Sequence, residues 1–365
     1  MVDVDAVRKA VEGVNDPEIR QPIGELGMVR QIDVAAGMVS VLVAIASHGA
    51  SIDEALRSAI TEAVLAVDGV GDAAVTFVPM DDDEIAAVAA ILRPGGESRD
   101  VRIGGPGSPT RVIGISSGKG GVGKSSVTAN LGVALAKQGK KVGIIDADVW
   151  GFSIPKMMGI DRAPSVLEDI LLPPVAHGVA VISMDFFVQP DQAVVWRGPM
   201  LHKALEQFLV DVYWGDPDYL LIDMPPGTGD VAISISQYLP RSEIVIVTTP
   251  QPAAQRVAVR AGLMANKVDQ DIIGVIENMS WFTGDDGKRY ELFGSGGGEE
   301  LARQLDVPML GQIPLVPELR EGGDAGRPIS VIDPSSIASQ AFDNLATELG
   351  SRGPRTRTHP ELVIS

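Results

Sequence analysis

Residues 111–139 read RVIGISSGKGGVGKSSVTANLGVALAKQG and predict the architecture of this chain more clearly than any other part of it. The segment begins as an apolar, β-branched run, continues as the glycine-rich octapeptide GKGGVGKS at 118–125, and ends with helical apolar spacing. A strand, a glycine-rich loop closed by Lys-Ser and a helix, in this order, are typical of a phosphate-binding loop. Glycines let successive backbone N–H groups point at an anion, and the helix adds its positive amino end. The segment therefore predicts a nucleotide site.

Two side chains of this loop have predicted chemical roles. Lys124 is expected to bind the β- and γ-phosphates of a nucleotide, and the Ser125 hydroxyl is expected to bind Mg²⁺. The structural alternative, a plain glycine-rich turn, leaves the flanking strand and helix unexplained. The predicted nucleotide-binding residues of this segment are Gly118, Lys119, Gly120, Gly121, Val122, Gly123, Lys124, Ser125 and Ser126.

Strands and helices also alternate on the carboxyl side of this loop. Short, almost wholly apolar runs are separated by helical segments, which is the pattern of right-handed βαβ units in one parallel sheet buried on both faces. Ligands of such sheets bind at the carboxyl ends of the strands. The sequence thus predicts an α/β domain whose chemistry lies where its strands end. The predicted strands lie at 111–118, 141–148, 178–184, 219–226, 243–250 and 272–279.

Carboxylates stand where two of these strands end. Asp223 follows four apolar residues, which is the position of a carboxylate that holds Mg²⁺ through its water shell. Gly227 and Gly229, shortly after it, are predicted to move with the γ-phosphate. Asp146 and Asp148 end an earlier strand. A buried strand that ends in two carboxylates indicates a functional site, with a helix cap or a turn as the alternative.

The chain is predicted to contain two domains. Residues 1–79 have the pattern of a small α+β domain made of a helix, two strands, a second helix and a third strand. Residues 80–109 combine a short acidic helix with a stretch rich in glycine, proline and serine, which predicts an interdomain linker. The α/β domain is expected at 110–349, followed by a flexible tail at 350–365. The predicted fold is therefore a parallel-sheet P-loop domain preceded by a small α+β domain.

The composition of the chain disfavours some binding partners and excludes some kinds of metal site. A formal net charge of −18 and a pI near 4.6 disfavour nucleic acid, since such binding needs basic patches that release counterions. No apolar run reaches the ~18 residues that span a bilayer, and the amino terminus lacks a signal-peptide pattern. We therefore expect no membrane partner and a cytoplasmic location. The sequence contains no cysteine, which excludes disulfides and Cys-ligated zinc or iron–sulfur sites built from this chain.

The lysine early in the loop gives the form KGGVGKS, which resembles the deviant P-loop ATPases. This class includes MinD, ParA, the nitrogenase iron protein and the Mrp/ApbC group. The small domain agrees with the last of these, because VNDPEIRQPIGELGMV resembles the iron–sulfur assembly domain that bacterial Mrp proteins often carry before the ATPase. The segments that match the Mrp/ApbC iron–sulfur cluster carriers, in the family's order, are GKGGVGKSS, DADVWGFSIPKMMG, VVWRGPML, LLIDMPPGTGD, VTTPQPAA, ENMS and FGSGGGEELA, and they cover nearly all of residues 110–335.

The resemblance implies roles for individual residues. Lys119 is expected to reach across a homodimer interface to the partner's nucleotide and to neutralise charge in the transition state. Asp148 is expected to position the attacking water as a switch residue, whereas Asp146 supports the metal region. Ser125, Asp146 and Asp223 then form the expected metal site.

The resemblance also implies a function. Its members are Mg-dependent, slow ATPases that work as homodimers and transfer iron–sulfur clusters to apoprotein clients, so ATP and Mg²⁺ are the expected cofactors. Catalysis is expected from Lys119, Lys124 and Asp148. Asn278 is expected to touch the adenine ring, with an ordinary turn residue at a strand end as the alternative.

The sequence departs from the family at the cluster site. Family members usually carry a Cys-x-x-Cys pair shortly after the ENMS segment, where this chain has Gly284, Asp285, Asp286 and Gly287. Carboxylates are hard oxygen ligands and poor substitutes for thiolates on a soft iron–sulfide cluster. Residues 281–290 are instead expected to form a hairpin that packs on the partner subunit or a client, or, as the alternative, an exposed hairpin with ordinary anchors.

Two other functions stay open at the level of sequence. An ATP-switched binding module would use nucleotide only to lock a dimer that presents the small domain, and Asp148 would then be dispensable. A regulatory ATPase of the MinD/ParA kind would need a membrane-seeking C-terminal helix or a basic DNA-binding surface. The acidic chain, which ends in GPRTRTHPELVIS, shows neither feature.

Overall fold

The computed structural model describes residues 2–46, 50–93, 101, 103–105, 107–149, 151–188, 198–227, 230–268 and 270–353. The strands are Val29–Ala35 (β1), Met38–Ile45 (β2), Asp72–Pro79 (β3), Arg111–Ser117 (β4), Val142–Asp146 (β5), Ser165–Leu167 (β6), Ile170–Leu172 (β7), Val175–Ala176 (β8), Val179–Ser183 (β9), Tyr219–Asp223 (β10), Glu243–Thr248 (β11), Asp271–Glu277 (β12), Phe282–Thr283 (β13), Arg289–Tyr290 (β14) and Met309–Gln312 (β15). The helices are Val4–Glu12 (α1), Ala50–Leu65 (α2), Asp82–Leu92 (α3), Lys124–Lys137 (α4), Ile154–Met157 (α5), Gly198–Val210 (α6), Asp230–Tyr238 (α7), Pro252–Lys267 (α8), Gly297–Leu305 (α9), Pro317–Asp324 (α10), Ile329–Ile332 (α11) and Ile337–Ser351 (α12).

The larger domain is built on one sheet with the strand order β15-β12-β11-β4-β10-β5-β9-β8 among the described residues. Neighbouring strands are parallel, except for the antiparallel pair of β8 and β9. One apolar layer lies between the sheet and helices α4 and α12, and the other lies between the sheet and helices α6 to α9. The predicted parallel α/β fold is confirmed.

The central strands explain why the sequence pattern was clear. Strands β4, β5, β10 and β11 are buried along their whole length. A strand covered by helices on both faces needs apolar residues at every position rather than at alternate ones. In β5 and β10 the first charged side chain is the last residue of the strand, Asp146 and Asp223 respectively.

The small domain is a three-stranded sheet, β1-β2-β3, covered by helices. Strands β1 and β2 form a hairpin at Ala36 and Gly37, which both have positive φ, as the twist of a two-residue hairpin turn requires. Strand β3 runs parallel to β2. Helix α3, which begins with a capping box of Asp81 and Glu84, packs on the same core through its apolar face. The domain boundaries at 79 and 110 stay predictions.

The hairpin expected at 281–290 is present. Phe282 pairs with Tyr290, and the Arg289 guanidinium lies 4.4 Å from the centre of the Trp281 ring. Most of the turn is exposed to solvent. A contact of this hairpin with a partner or a client stays a prediction.

The carboxyl end of the described chain is helical up to Ser351, where α12 ends. Residues 354–365, most of the expected tail, lie outside the described residues. Every helix among the described residues is too short or too polar to cross a bilayer.

Candidate nucleotide-binding site

The glycine-rich loop joins β4 to α4 in a conformation that depends on glycine. Gly121 and Gly123 have φ values of +78° and +80°, in the region that side-chain-bearing residues rarely adopt. A Cβ atom on Gly123 would also lie 2.2 Å from Nδ2 of Asn278. Helix α4 begins at Lys124, and no side chain of the described residues caps its amino end. The first N–H groups of the helix are therefore available to an anion.

Lys124 lies in a buried network around Asp223. Its Nζ is 2.7 Å from Asp223 Oδ2, 3.3 Å from Ser125 Oγ and 3.7 Å from Asp148 Oδ2. Ser125 Oγ donates to the same Asp223 oxygen at 2.6 Å, and Thr128 Oγ1 donates to Oδ1 at 2.7 Å. Asp223 is fully buried and Lys124 is 6% exposed. The structure thus brings the predicted phosphate lysine, metal hydroxyl and metal carboxylate within hydrogen-bonding distance of one another.

Strand register explains why the carboxylates converge. β10 lies between β4 and β5, and Asp223 at its end stands opposite Asp146 at the end of β5. Asp146 in turn stands opposite Ser183 at the end of β9. Because these strands are parallel, their last residues meet at one edge of the sheet, next to the glycine-rich loop.

Asp146 accepts four hydrogen bonds in a fully buried position. Its Oδ1 accepts from the Asp148 N–H at 3.3 Å. Its Oδ2 accepts from the N–H groups of Ser153 and Ile154, at 3.2 and 3.3 Å, and from Ser183 Oγ at 3.1 Å. The carboxylate therefore fixes the start of α5 against the end of β5.

The charge state of Asp146 is set by its surroundings. Burial, and then the nearby charge of Asp223, raise the pKa of Asp146 to about 7, while the Lys124 ammonium lowers it. Asp148, 8% exposed, lies beside the same ammonium. The Lys124 ammonium thus interacts with Asp146, Asp148 and Asp223.

Lys119 lies at the rim of the site. Its Nζ is 3.3 Å from Oε1 of Gln251, which follows β11, and Thr249 Oγ1 donates to the same oxygen at 3.3 Å. The lysine is partly exposed. Its predicted reach across a dimer interface stays a prediction.

The remaining predicted residues border the loop. Asn278 is 2% exposed; its Nδ2 donates to the Val122 carbonyl at 2.9 Å, and its Oδ1 has no hydrogen-bond partner among the described residues. The side chain braces the loop, and its contact with adenine stays a prediction. Gly227 has φ +96° and donates its N–H to the Ser117 carbonyl at 2.9 Å. Gly229 lies outside the described residues.

Three contacting residues were missed from the sequence. Thr128 stands four residues after Lys124, on the same helix face, and this spacing is a signal that could have revealed it. Ser183 ends a strand that was predicted, so a polar residue at its end was a weaker signal of the same kind. Gln251 lies in the VTTPQPAA segment, but nothing in the sequence indicated its contact with Lys119, because that contact joins two loops that are distant in sequence.

The turn that replaces the cysteine pair is self-contained. Asp286 accepts hydrogen bonds from the Lys288 N–H at 3.1 Å and the Tyr290 hydroxyl at 2.9 Å, and these bonds lower the pKa of Asp286. Asp285 is exposed. Across the described ranges, no three or more His, Asp or Glu side chains are grouped so that they could hold a metal ion by themselves. This turn therefore does not fit an iron–sulfur cluster.

The loop fits a magnesium nucleotide. A Cβ atom on Gly120 or Gly121 would meet no atom within 4 Å, so the space in front of the loop is open. Mg²⁺ in such sites is held by one or two carboxylates, a hydroxyl and the phosphates of the substrate. Ser125 and Asp223 supply this hydroxyl and carboxylate.

Two family models match the chain. One, described as NUBPL iron-transfer P-loop NTPase, matches residues 108–350. The other, described as iron–sulfur cluster assembly protein, matches residues 4–77.

Curated relatives are similar over most of the chain. The iron–sulfur cluster carrier protein of Mycobacterium tuberculosis is 47% identical over 356 residues, which are 95% of this chain and 93% of the relative. The iron–sulfur cluster carrier protein of Bacillus subtilis is 43% identical over 318 residues, covering 86% and 89% of the two chains.

Solved structures support the nucleotide-binding fold. A nucleotide-binding protein of Archaeoglobus fulgidus in complex with ADP is 38% identical, with a TM-score of 0.55 over 64% of this chain and 93% of that one. The cell division ATPase MinD of Pyrococcus furiosus is 28% identical, with a TM-score of 0.51 over 66% and 98% of the two chains. MinD is thus the more distant of these relatives.

Proposed function

Because the chain belongs to the NUBPL iron-transfer P-loop NTPase family, we propose that it is an ATP-hydrolysing homodimer that acts in the assembly or delivery of iron–sulfur clusters. The observation that carries this proposal is the buried network of Lys124, Ser125 and Asp223 behind an open glycine-rich loop. Relatives of nearly the same length are named iron–sulfur cluster carrier proteins.

The nucleotide is held by groups that are already in place. The loop N–H groups and Lys124 bind the phosphates, while Ser125 and Asp223 bind Mg²⁺, with Asp146 behind them. When bound, Mg²⁺ would neutralise negative charge on the phosphates. Asp148, close to the Lys124 ammonium, orients the water that attacks the γ-phosphate.

The complete catalytic site requires two chains. Lys119 is partly exposed at the rim, 3.3 Å from Gln251 and separate from the network around Lys124. From this position it contributes its charge to the nucleotide of the partner subunit, where it stabilises the negative charge of the transition state. Binding of ATP and formation of the dimer are therefore coupled.

The cluster is the cargo, and this chain has no thiolate to hold it. The sequence contains no cysteine, and Asp286 of the replacing turn is engaged by Lys288 and Tyr290. Thiolate ligands for the cluster therefore come from a client or from another thiol. The chain contributes an ATP-dependent closure that brings such partners together.

Anaerobic incubation of the chain with ferrous iron and sulfide tests the proposal that this chain supplies the ATPase and a partner supplies the thiolates. In thiol-free buffer we expect no stoichiometric iron and no cluster absorption band after gel filtration, because thiolates are absent. The same preparation should hydrolyse ATP only with Mg²⁺, and Lys124→Ala should abolish that hydrolysis.

A stoichiometric cluster in thiol-free buffer would contradict the proposal that a partner supplies the cluster ligands. If that cluster were lost on changing both Asp285 and Asp286 to Ala, oxygen ligands of the turn would be the carriers. Failure of Mg-dependent hydrolysis would instead contradict the ATPase proposal itself.

A second candidate function, an ATP-switched binding module, is favoured by the absence of thiolates. Its discriminating variant is Asp148→Asn in cells that depend on this protein for iron–sulfur enzyme activity. Full enzyme activity with this variant would favour the switch over the hydrolase.

A further inference from the structure

The β6–β7 hairpin of the larger domain belongs to the apolar core of the small domain. Leu167, Ile170 and Leu172 are each no more than 2% exposed. They pack in one cluster with residues of α1, β2 and α2 of the small domain. Burial of these three large apolar side chains stabilises the contact between the hairpin and the small domain.

The same hairpin is also fixed to the larger domain. The Leu171 N–H donates to the Asp211 carbonyl at 2.8 Å, and the Leu171 carbonyl accepts from the Tyr213 N–H at 2.8 Å. Strand β7 is thus hydrogen-bonded to the segment that follows α6 in the larger domain. The apolar side chains of the hairpin pack in the core of the small domain. A displacement of the hairpin would therefore change contacts in both domains.

A partly buried ion pair adds a second link just before β6. Arg162 Nη1 lies 2.6 Å from Glu18 Oε1, and Glu18 is 4% exposed. The turn that carries Glu18 is held by Asp16, whose Oδ1 accepts the N–H groups of Glu18 and Ile19 at 2.9 and 2.8 Å. Arg162 therefore contacts a rigid part of the small domain.

This link leads directly to the nucleotide site. The chain from Arg162 back towards β5 passes through α5, whose first N–H group, that of Ile154, is bonded to Asp146. The Ser153 N–H is bonded to the same carboxylate oxygen. Residues 151–172 thus form one connection, with Asp146 at one end and the small domain at the other.

We propose that the small domain senses the nucleotide state of the larger domain through residues 151–172, and that nucleotide binding loosens the contact at Glu18 and the β6–β7 hairpin. This inference rests on the proposed function. Asp146 accepts four hydrogen bonds with its two oxygens. When Lys124 binds the phosphates instead of Asp223, the charge around Asp146 changes, and we expect the bonds that hold Ser153 and Ile154 to weaken. The released segment then shifts, and the contacts fixed to it weaken.

Coupling of this kind is reciprocal. If nucleotide weakens the contact of Arg162 with Glu18, then removal of that contact tightens nucleotide binding by the same factor. Arg162→Gln removes the charge and keeps most of the side-chain length. Arg320→Gln is the matched control, because Arg320 is 69% exposed and pairs only with acidic residues of its own helix, α10, among the described residues.

Hydrogen–deuterium exchange of the full chain, with and without saturating Mg·ADP or a non-hydrolysable ATP analogue, tests the proposal. In the parental chain we expect nucleotide to speed exchange in peptides covering 14–28 and 165–172 by about fivefold or more. In nucleotide-free Arg162→Gln these peptides should already exchange faster, and calorimetry should show nucleotide bound about fivefold more tightly than in the parental chain and the control.

The parental measurement alone can overturn the proposal, even if Arg162→Gln fails to fold. Unchanged or slower exchange at 14–28 and 165–172, with nucleotide binding proven by calorimetry, would overturn the sensing role and leave the ATPase proposal intact. An absence of any nucleotide binding would overturn both.

Discussion

The side chain of Asp146 combines deep burial with a neighbouring negative charge. Both raise its pKa to about 7, against a usual value of 3.8. Between these two pH values the folded protein keeps a proton that the unfolded chain has lost. The titration of Asp146 therefore contributes stability that is fully present below the unfolded pKa and is lost as the pH rises through about 7.

Replacement of Asp146 by Asn removes this titration. We expect the free energy of unfolding of the ligand-free parental chain to fall relative to Asp146→Asn between about pH 4 and 7, by at most about 1.4 kcal/mol per pH unit. Above about pH 7 the free energies of unfolding of the parental chain and of Asp146→Asn should change with pH in parallel. Urea unfolding at several pH values measures this, with the exposed Asp324→Asn as the control. A constant difference across the whole range would show that the pKa of Asp146 is not raised.

Single residues of the site differ in how far the sequence could predict them. Lys124 and Ser125 follow the glycine-rich loop at the start of α4, and Asp223 ends an apolar strand, so the sequence pattern predicted that they lie together, while their chemical roles stay predictions. The bond from Thr128 to Asp223 is a tertiary contact that follows from packing α4 against the sheet. Such contacts leave only weak local patterns, which explains why the supporting residues were missed.

At the scale of elements, helix α8 packs directly on the backbone of the phosphate loop. A Cβ atom on Gly118 would lie 2.3 Å from the Ala258 nitrogen and 2.4 Å from the Val257 carbonyl carbon. Backbone atoms cannot move aside as a flexible side chain can. Gly118 is therefore required for the approach of α8 to the end of β4.

Gly118→Ala should push α8 away from the loop and destabilise the fold. Overpacking of this kind costs about 1–3 kcal/mol, which urea unfolding detects as a lower midpoint. Gly120→Ala is the matched control in the same loop, because its Cβ would meet no atom within 4 Å. Equal midpoints for the two variants would mean that the close approach of α8 is not a constraint.

The elements that the sequence predicted are those with long apolar runs. Strands β4, β5, β9, β10 and β11 lie within the predicted segments, β12 begins one residue before its segment, and the α/β class follows from these strands. Strands β6 and β7 have three residues each and were not predicted, because three residues are too few to show the alternation of a strand. Their apolar side chains serve the core of the other domain, and no local pattern contains that information.

At the scale of the whole molecule, the proposed mechanism divides each catalytic site between two subunits. Lys124, Asp148 and Asp223 come from one chain, and Lys124 contacts both carboxylates. In this proposal Lys119, at the rim of that chain, acts in the site of the partner. A homodimer with two-fold symmetry then contains two equal sites, each incomplete without the other chain.

Mixing two inactive variants tests this shared site most directly. Lys119→Ala and Asp148→Asn should each lower the ATPase rate by about 10²-fold or more. In a heterodimer, the Lys119→Ala chain keeps Asp148 and receives Lys119 from the Asp148→Asn chain, so one of the two sites is complete. An equimolar mixture should therefore recover about a quarter of the parental rate, since half of the dimers are mixed. A mixture as inactive as its components, or a Lys119→Ala chain as active as the parent, would contradict the shared site.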